Sequence, residues 1–184
     1  IVLHRPGVFA NGAAARHVAF YTEHGTTLKL GNYLMTLLPM PFFLLFLGGL
    51  SGVLWHNGGG GTLVTAAVAS GVIVALLWPL GAVLNHIGID IALAGGDAAT
   101  IVALDAIGAY MLALSALPRA VLLAAASVGL VYGRFIPGWM VWLSLALAAV
   151  SLAGSATLVA RRLFPALAFG TLLFEVWVLL LSII

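Results

Sequence analysis

Long apolar runs, separated by short polar connections, dominate the pattern along this chain. The runs cover residues 33–55, 63–84, 98–134, 139–160 and 164–184. An α-helix that crosses a hydrocarbon core of about 30 Å needs roughly 20 mostly apolar residues. The pattern therefore predicts an all-α fold, a polytopic transmembrane helix bundle with about five crossings, with four or six crossings as the alternatives. Tryptophans, which favour the headgroup layer, lie near the predicted ends at Trp55, Trp78, Trp139 and Trp142.

The run over residues 98–134 is longer than one membrane thickness and contains Leu-Pro-Arg at positions 117–119. We interpret it as a half-inserted helix over residues 98–115, followed by a crossing over residues 118–132. A tight hairpin of two short crossings is the competing interpretation.

Prolines predict breaks in these helices, because proline removes an amide donor and clashes with the preceding turn. Pro39 and Pro41 are expected to break or kink the first crossing near the bilayer middle, and Pro118 to break the third. The four glycines at positions 58–61 predict a flexible turn. They do not predict a phosphate-binding loop, since no Gly-Lys-Ser/Thr follows.

The segment 1–32 is the most polar part of the chain. It predicts a loop with an interfacial helix that begins after Asn11 and ends near Gly25. We therefore divide the chain into an interfacial segment, residues 1–32, and a transmembrane bundle, residues 33–184. The opening Ile-Val-Leu is consistent with the end of a transmembrane helix that precedes this sequence, or with the trace of a cleaved signal peptide.

Composition excludes several classes of protein. The chain has 64% hydrophobic and 7% charged residues, against about 45–50% and 25% in soluble domains. The few charges, with a net charge of +2, exclude nucleic acid as an expected partner. The absence of cysteine excludes disulfides, thiolate metal sites and cysteine nucleophiles. The composition predicts an integral membrane protein.

Ionisable residues at membrane depth are costly and are candidate functional sites. The candidates are Glu175, in the middle of the last crossing, Arg119 and Asp105. For Glu175 we consider a carboxyl that fixes helix packing with Arg119 as its partner, a proton or substrate relay, and a contact with a partner protein. Asp105 would reach the interface if its helix were half inserted.

Histidines raise the hypothesis of a metal or haem site. His56 and His86 follow successive crossings, so they lie at opposite membrane surfaces and cannot share a ligand. His17 and His24 are two helical turns apart, about 10 Å along the axis. A site that combines one of these with His86, Asp90 or Asp97 is possible in a five-crossing model, although solvated histidines are the ordinary interpretation. No cofactor is predicted, and contact with lipid or pigment is left open.

Asp97 is expected to cap the following helix.

Glycine pairs spaced four apart predict close helix packing in lipid. The pairs are Gly48 with Gly52 and Gly129 with Gly133. They favour packing within the chain or, alternatively, contact with another subunit. No G-x-S-x-G, H-E-x-x-H or G-x-G-x-x-G motif occurs, so nothing in the sequence supports an enzyme.

A series of recognisable segments covers most of the chain. In order, they are AFYTEHGTTLKLGNYL, a span ending in FLGGL, a Leu-Pro-x-x-x-L break, IPGWMVWLSL and a closing FEVWVLLLSI. In this order the chain resembles a broad group of uncharacterised small polytopic membrane proteins from GC-rich bacteria. The resemblance implies a further transmembrane helix before the AFYTEH-like segment, which would lie outside the cytoplasm. It brings no established activity. The distribution of basic residues places residues 1–32 in the cytoplasm instead.

These observations predict a non-catalytic accessory or scaffold subunit of a larger complex in the bacterial cytoplasmic membrane. Its expected partners are lipids and other membrane protein subunits. The alternative function is a small carrier or channel for protons or a small solute, which would use broken helices and Glu175. An enzyme that uses the loop histidines and aspartates ranks last.

Overall fold

The computed structural model describes residues 14–56, 60–132 and 135–183, and these residues contain helices and no strand. The α-helices are α1 (Ala14–Asn32), α2 (Pro39–His56), α3 (Gly60–Leu93), α4 (Ala98–Tyr132), α5 (Gly138–Ser155) and α6 (Phe164–Ile183). A π-turn over Tyr33–Leu37 joins α1 to α2, and short 3₁₀ turns lie between α5 and α6. The predicted all-α fold is confirmed.

Within the part of the chain that the structure describes, five helical runs are long and apolar enough to cross a membrane, which confirms an integral membrane protein with five candidate crossings. The runs are Ala14–His56, Gly60–Leu93, Ala98–Tyr132, Gly138–Leu158 and Phe164–Ile183. At 1.5 Å per residue, α5 and α6 are about 27 and 30 Å long, close to the thickness of the hydrocarbon core. Helices α3 and α4, with 34 and 35 residues, are about 51 and 52 Å long and exceed it.

The predicted break at Pro118 is wrong, since α4 continues through this residue as one helix. The half-inserted helix and the two-crossing hairpin are wrong for the same reason. A transmembrane helix tolerates an internal proline because neighbouring groups and local adjustment satisfy the freed carbonyl. Pro79 is likewise internal to α3.

The interruption expected at Pro39 and Pro41 takes the form of the π-turn. Pro39 is the first residue of α2, a position where a missing amide donor costs little. Just before it, the Leu38 amide donates to the Tyr33 carbonyl at 2.8 Å. The helical run therefore changes its hydrogen-bond register there without ending.

Two other predicted helix ends are wrong. Helix α1 does not stop at Gly25 but continues to Asn32. A Cβ at Gly25 would lie 2.8 Å from the Ile89 side chain, so this glycine serves helix packing. The polar stretch 85–97, between two predicted crossings, is expected as a connection, but its residues 85–93 belong to α3, and the chain turns only at Gly95, whose φ is +72°. The predicted start after Asn11 and the glycines at 58 and 59 lie outside the described residues.

The chain forms two compact units by contact. Unit 1 is Ile1–Pro39 with Trp78–Leu112, and unit 2 is Met40–Leu77 with Ala113–Ile184. The described part of unit 1 has a core of Tyr21, Ile89, Ala92 and Ile101. The core of unit 2 includes Phe174 and Trp177, whose rings stack at 6.0 Å. The division at residue 32 proposed from the sequence stays a prediction.

Glycine contacts bring helix backbones together inside each unit. In unit 1, a Cβ at Gly108 would lie 2.8 Å from the Gly81 carbonyl oxygen, and a Cβ at Gly81 would lie 2.8 Å from the Gly108 carbonyl oxygen. In unit 2, a Cβ at Gly154 would lie 2.9 Å from the Cα of Leu167. Any larger residue at these positions would force the helices apart.

Candidate functional site: two buried polar clusters

Unit 1 contains a buried group of four polar side chains from three helices, which we call the Asp105 cluster. Its members are His17 and Tyr21 on α1, Asn85 on α3 and Asp105 on α4. His17 is fully buried, as is Tyr21, and Asp105 is 3% exposed. Such burial is costly unless the polar groups satisfy each other.

Asp105 is the centre of this cluster. Its Oδ2 lies 2.7 Å from Nε2 of His17. Its Oδ1 accepts from the Tyr21 hydroxyl at 2.6 Å and from the Asn85 amide. Asp105 and Tyr21 make further interactions besides these. Three side chains, two from α1 and one from α3, thus meet one carboxyl on α4 and hold α1 against α3 and α4.

His17 has one satisfied ring nitrogen and one that lacks a partner. Nδ1 of His17 is buried and has no hydrogen-bond partner within the described part of the chain. The Tyr21 ring meets the imidazole edge on, with a centroid distance of 4.9 Å. The imidazole is therefore fixed on one side by Asp105 and on another by an aromatic ring.

Further polar contacts extend from this cluster within unit 1. Asn32 donates from Nδ2 to Oδ1 of Asn85 at 2.7 Å. Lys29 forms an exposed ion pair with Asp90. Nε2 of the His86 ring, also on α3, is buried without a hydrogen-bond partner in the described residues. Helix α1 is thus attached to α3 at several points along its length.

The metal hypothesis receives no geometric support from the described residues, which contain no group of three or more His, Cys, Asp or Glu side chains placed to hold an ion. His24 stacks on Phe20 at 4.9 Å, and its Nδ1 lies 3.8 Å from Glu23. His17, His24, His86 and Asp90 are therefore not brought together as one ligand set.

Asp97 caps α4, as predicted. Its Oδ2 accepts from the backbone amide and from the hydroxyl of Thr100, each at 2.9 Å. The Thr100 amide, the Thr100 hydroxyl and the Ala99 amide together lower the pKa of Asp97 below its ordinary value.

Unit 2 contains a second group, which we call the Arg119 cluster. The Arg119 side chain on α4 is fully buried. Its Nε donates to Ser151 on α5 at 3.2 Å, and its Nη1 donates to Thr171 on α6 at 2.8 Å. The guanidinium carbon lies 5.7 Å from the centre of the Phe174 ring, within range of a cation–π interaction.

Glu175 on α6 is half-buried and attracts Arg119 electrostatically. Among the described residues no ion-pair contact joins the two. Nη2 of Arg119 is buried and has no hydrogen-bond partner there. The predicted partnership of Glu175 with Arg119 is thus a longer-range attraction, and hydroxyl groups make the direct contacts.

Of the two glycine pairs named from the sequence, Gly48 and Gly52 make no close contact among the described residues, and the pair Gly129 and Gly133 stays a prediction. A Cβ at Gly48, Gly49 or Gly52 would meet no atom within 4 Å. Gly129 is buried, and Gly133 lies outside the described residues. The close contacts use Gly81 with Gly108, and Gly154, which the spacing rule did not select.

Sequence reasoning missed Tyr21 and Asn85 as members of the Asp105 cluster. A signal was present on α1, where His17, Tyr21, Gly25, Leu28 and Asn32 follow the spacing of one helix face. This face is polar at three of five positions, which is unusual for a buried face. No comparable signal marks Ser151 or Thr171.

Comparison with known proteins identifies no relative: no family model, curated protein or solved structure matches this chain.

Proposed function

We propose that this protein is a non-catalytic integral membrane subunit that binds other membrane proteins laterally through one face of α2. The observation that supports this function is the open face at Gly48, Gly49 and Gly52, where an added Cβ would meet nothing in the described chain. Small residues on a helix in lipid are typical of surfaces where another helix approaches closely.

The contrast with the other glycines strengthens the proposal. Gly71, Gly81, Gly108 and Gly154 each lie where a Cβ would come within 3 Å of another helix. These glycines serve packing within the chain. The three glycines of α2 have no such use in the described residues, so contact with a partner would explain them.

Large apolar side chains flank the glycine face. Phe42, Leu45 and Trp55 of α2 are 67%, 74% and 67% exposed. Beside Gly49, unit 2 has an apolar cavity of about 350 Å³, whose lining includes Phe46, Val53, Leu130, Phe135 and Leu181. A partner helix could contact the glycines and place a large apolar side chain in this cavity.

The test is a photo-crosslinking experiment in native membranes with a benzophenone side chain at Leu45. We expect an adduct of discrete mass that disappears when Gly48→Leu and Gly52→Leu block the face. The matched controls are a benzophenone at Leu76, which is exposed on α3, and the substitution Ala69→Leu. The proposal fails if Leu45 and Leu76 give only the same lipid adducts.

A carrier for protons or a small solute is the second candidate function. It is favoured by Arg119, a fully buried cation with an unpartnered Nη2, near the half-buried Glu175. Ionisable groups of this kind mark substrate and proton pathways in membranes. A flux assay in proteoliposomes should then show acidification that Glu175→Gln abolishes. Identical fluxes in Glu175→Gln, the parent protein and empty liposomes would exclude this candidate.

The resemblance to proteins of GC-rich bacteria and the use of six arginines against one lysine support a bacterial cytoplasmic membrane as the location of this subunit.

A further inference from the structure

The apolar cavity of unit 2, about 350 Å³ in volume, has a buried floor and an exposed mouth. The floor includes Leu130 and Ile136, which are 3% and 9% exposed. The mouth includes Gly49, Phe135 and Ser182, which are exposed. Every residue that lines the cavity belongs to unit 2. The cavity therefore leads from the core of this unit to its surface.

The cavity lies close to one end of the helices that line it. Leu130 is two residues before the end of α4 at Tyr132, and Val53 is three residues before the end of α2 at His56. At 1.5 Å per residue these separations are about 3 and 5 Å. Trp55 and Tyr132 at these ends are 67% and 70% exposed, and such rings favour the headgroup layer. The cavity is therefore at the depth where the acyl chains of phospholipids begin.

The chemistry of the lining favours a hydrocarbon ligand. Among the described residues that line the cavity, Ser182 has the one polar side chain, and its hydroxyl donates to the Val178 carbonyl at 2.7 Å. A buried water needs two to four polar partners, so this lining does not suit water. An apolar cavity of about 150 Å³ already stays dry and binds benzene. A ligand here gains dispersion contacts with the walls.

We propose that this cavity binds one acyl chain of a membrane phospholipid, whose glycerol stays in the headgroup layer. The mouth is continuous with the apolar surface that unit 2 exposes to the bilayer. Leu45, 74% exposed, lies one helical turn from Gly49, and Leu179, 65% exposed, lies one turn from Ser182. The medium that covers these side chains is hydrocarbon, and an acyl chain enters the cavity from it without loss of any polar contact.

This site does not depend on the lateral contact proposed for α2, because acyl chains are present in any bilayer. The two proposals share a volume, since the cavity lies beside Gly49. A large side chain of a partner helix therefore enters the cavity only when the acyl chain leaves it. The bound chain competes with that part of the lateral contact.

The test is photolabelling of the purified protein in nanodiscs of phosphatidylcholine that carries a diazirine on one acyl chain, with adducts mapped by mass spectrometry. We expect an adduct on Leu130, because the cavity gives the chain access to this buried side chain. Leu122 is the matched control, since it lies two turns earlier on α4, is fully buried and is not among the lining residues. Labelling of Leu130 no stronger than that of Leu122 would overturn the site.

Filling the cavity should remove the adduct. Val53→Trp enlarges a half-buried side chain of the lining, so we expect loss of the Leu130 adduct while the adduct on the exposed Leu179 remains. Val128→Trp is the control, because Val128 is exposed on α4 and is not among the lining residues. An unchanged Leu130 adduct in Val53→Trp would contradict the site. If Val53→Trp fails to fold, the comparison within the parent protein still decides.

A second probe identifies the source of the chain. If a fatty acid that carries the diazirine labels Leu130 and the phosphatidylcholine does not, a phospholipid is not the ligand and the proposal is wrong. These nanodiscs contain no partner protein, so failure of this site leaves the lateral contact of α2 untouched.

Discussion

The Asp105 cluster and the Arg119 cluster each bury a charged side chain, but the groups that contact this side chain differ. Asp105 makes hydrogen bonds with three side chains on two other helices. Arg119 meets two hydroxyls and an aromatic face, and its charge is balanced only at longer range by Glu175. In the Asp105 cluster, neighbouring side chains satisfy the charged group by direct hydrogen bonds. In the Arg119 cluster, Nη2 of Arg119 has no hydrogen-bond partner among the described residues.

This difference teaches what each cluster contributes to stability. A buried ion with several matched partners becomes costly when one member is removed, because the remaining groups lose their partners. A buried ion without a contacting counter-charge carries a desolvation cost, which its replacement by an apolar residue of similar size removes. We therefore expect unit 1 to depend on its central charge and unit 2 to depend on its packing.

The largest expected effect comes from replacing the two charges by apolar residues. Asp105→Leu leaves three donors unsatisfied in the core, and we expect a loss of about 3–5 kcal/mol in the free energy of unfolding. Arg119→Met should change that free energy by about 1 kcal/mol or less, or increase it. Unfolding by sodium dodecyl sulfate in mixed micelles, followed by circular dichroism, measures both. Equal losses in the two variants would remove the distinction between the clusters.

We expect close helix contacts at glycine to contribute equally to stability in the two units. Gly108→Ala in unit 1 and Gly154→Ala in unit 2 each place a Cβ within 3 Å of backbone atoms. We expect each to lower the free energy of unfolding by about 1–3 kcal/mol in the same assay. Gly31→Ala is the control, because its Cβ meets open space on α1, and it should be neutral or slightly stabilising. Should Gly108→Ala behave like Gly31→Ala, the close approach of α3 and α4 would be wrong.

The smallest expected effect concerns the start of α4 in unit 1. The hydrogen bonds from Thr100 and Ala99 lower the pKa of Asp97 in the folded protein. Its contribution to stability is therefore present above the unfolded-state pKa and is lost as the pH falls through the lower, folded-state pKa. Thermal unfolding between pH 6 and 2 should show a small decrease for the parent protein that Asp97→Asn lacks. Parallel pH profiles for the two proteins would contradict a charged cap.

The fold was predictable because hydropathy averaged over about 20 residues identifies membrane crossings regardless of local detail. The local detail was less predictable. Pro118 lies inside α4 because a bundle compensates a missing hydrogen bond, and Gly25 lies inside α1 because it packs against Ile89. Both residues end helices in water more often than in a packed membrane bundle, and the sequence alone does not show the neighbours that change this.

The clusters were only partly predictable. His17 and Asp105 were each candidates, but in separate hypotheses, because 88 positions separate them in the chain. A spacing rule within one helix cannot pair residues on α1 and α4. Arg119 and Glu175 were paired by their charges alone, and the hydroxyls that contact Arg119 come from α5 and α6, where Ser151 and Thr171 look like ordinary helix residues.

The most direct test of the membrane-embedded bundle is labelling of single cysteines in proteoliposomes with a membrane-impermeant maleimide. The chain has no cysteine, so each variant reports one position. Ala94→Cys, in the exposed turn between α3 and α4, should react in intact vesicles that expose this turn. Leu76→Cys and Val128→Cys, on exposed apolar faces of α3 and α4, should not react, since lipid keeps the thiol un-ionised and away from the reagent. Labelling of Leu76→Cys as fast as Ala94→Cys in intact vesicles would contradict the account.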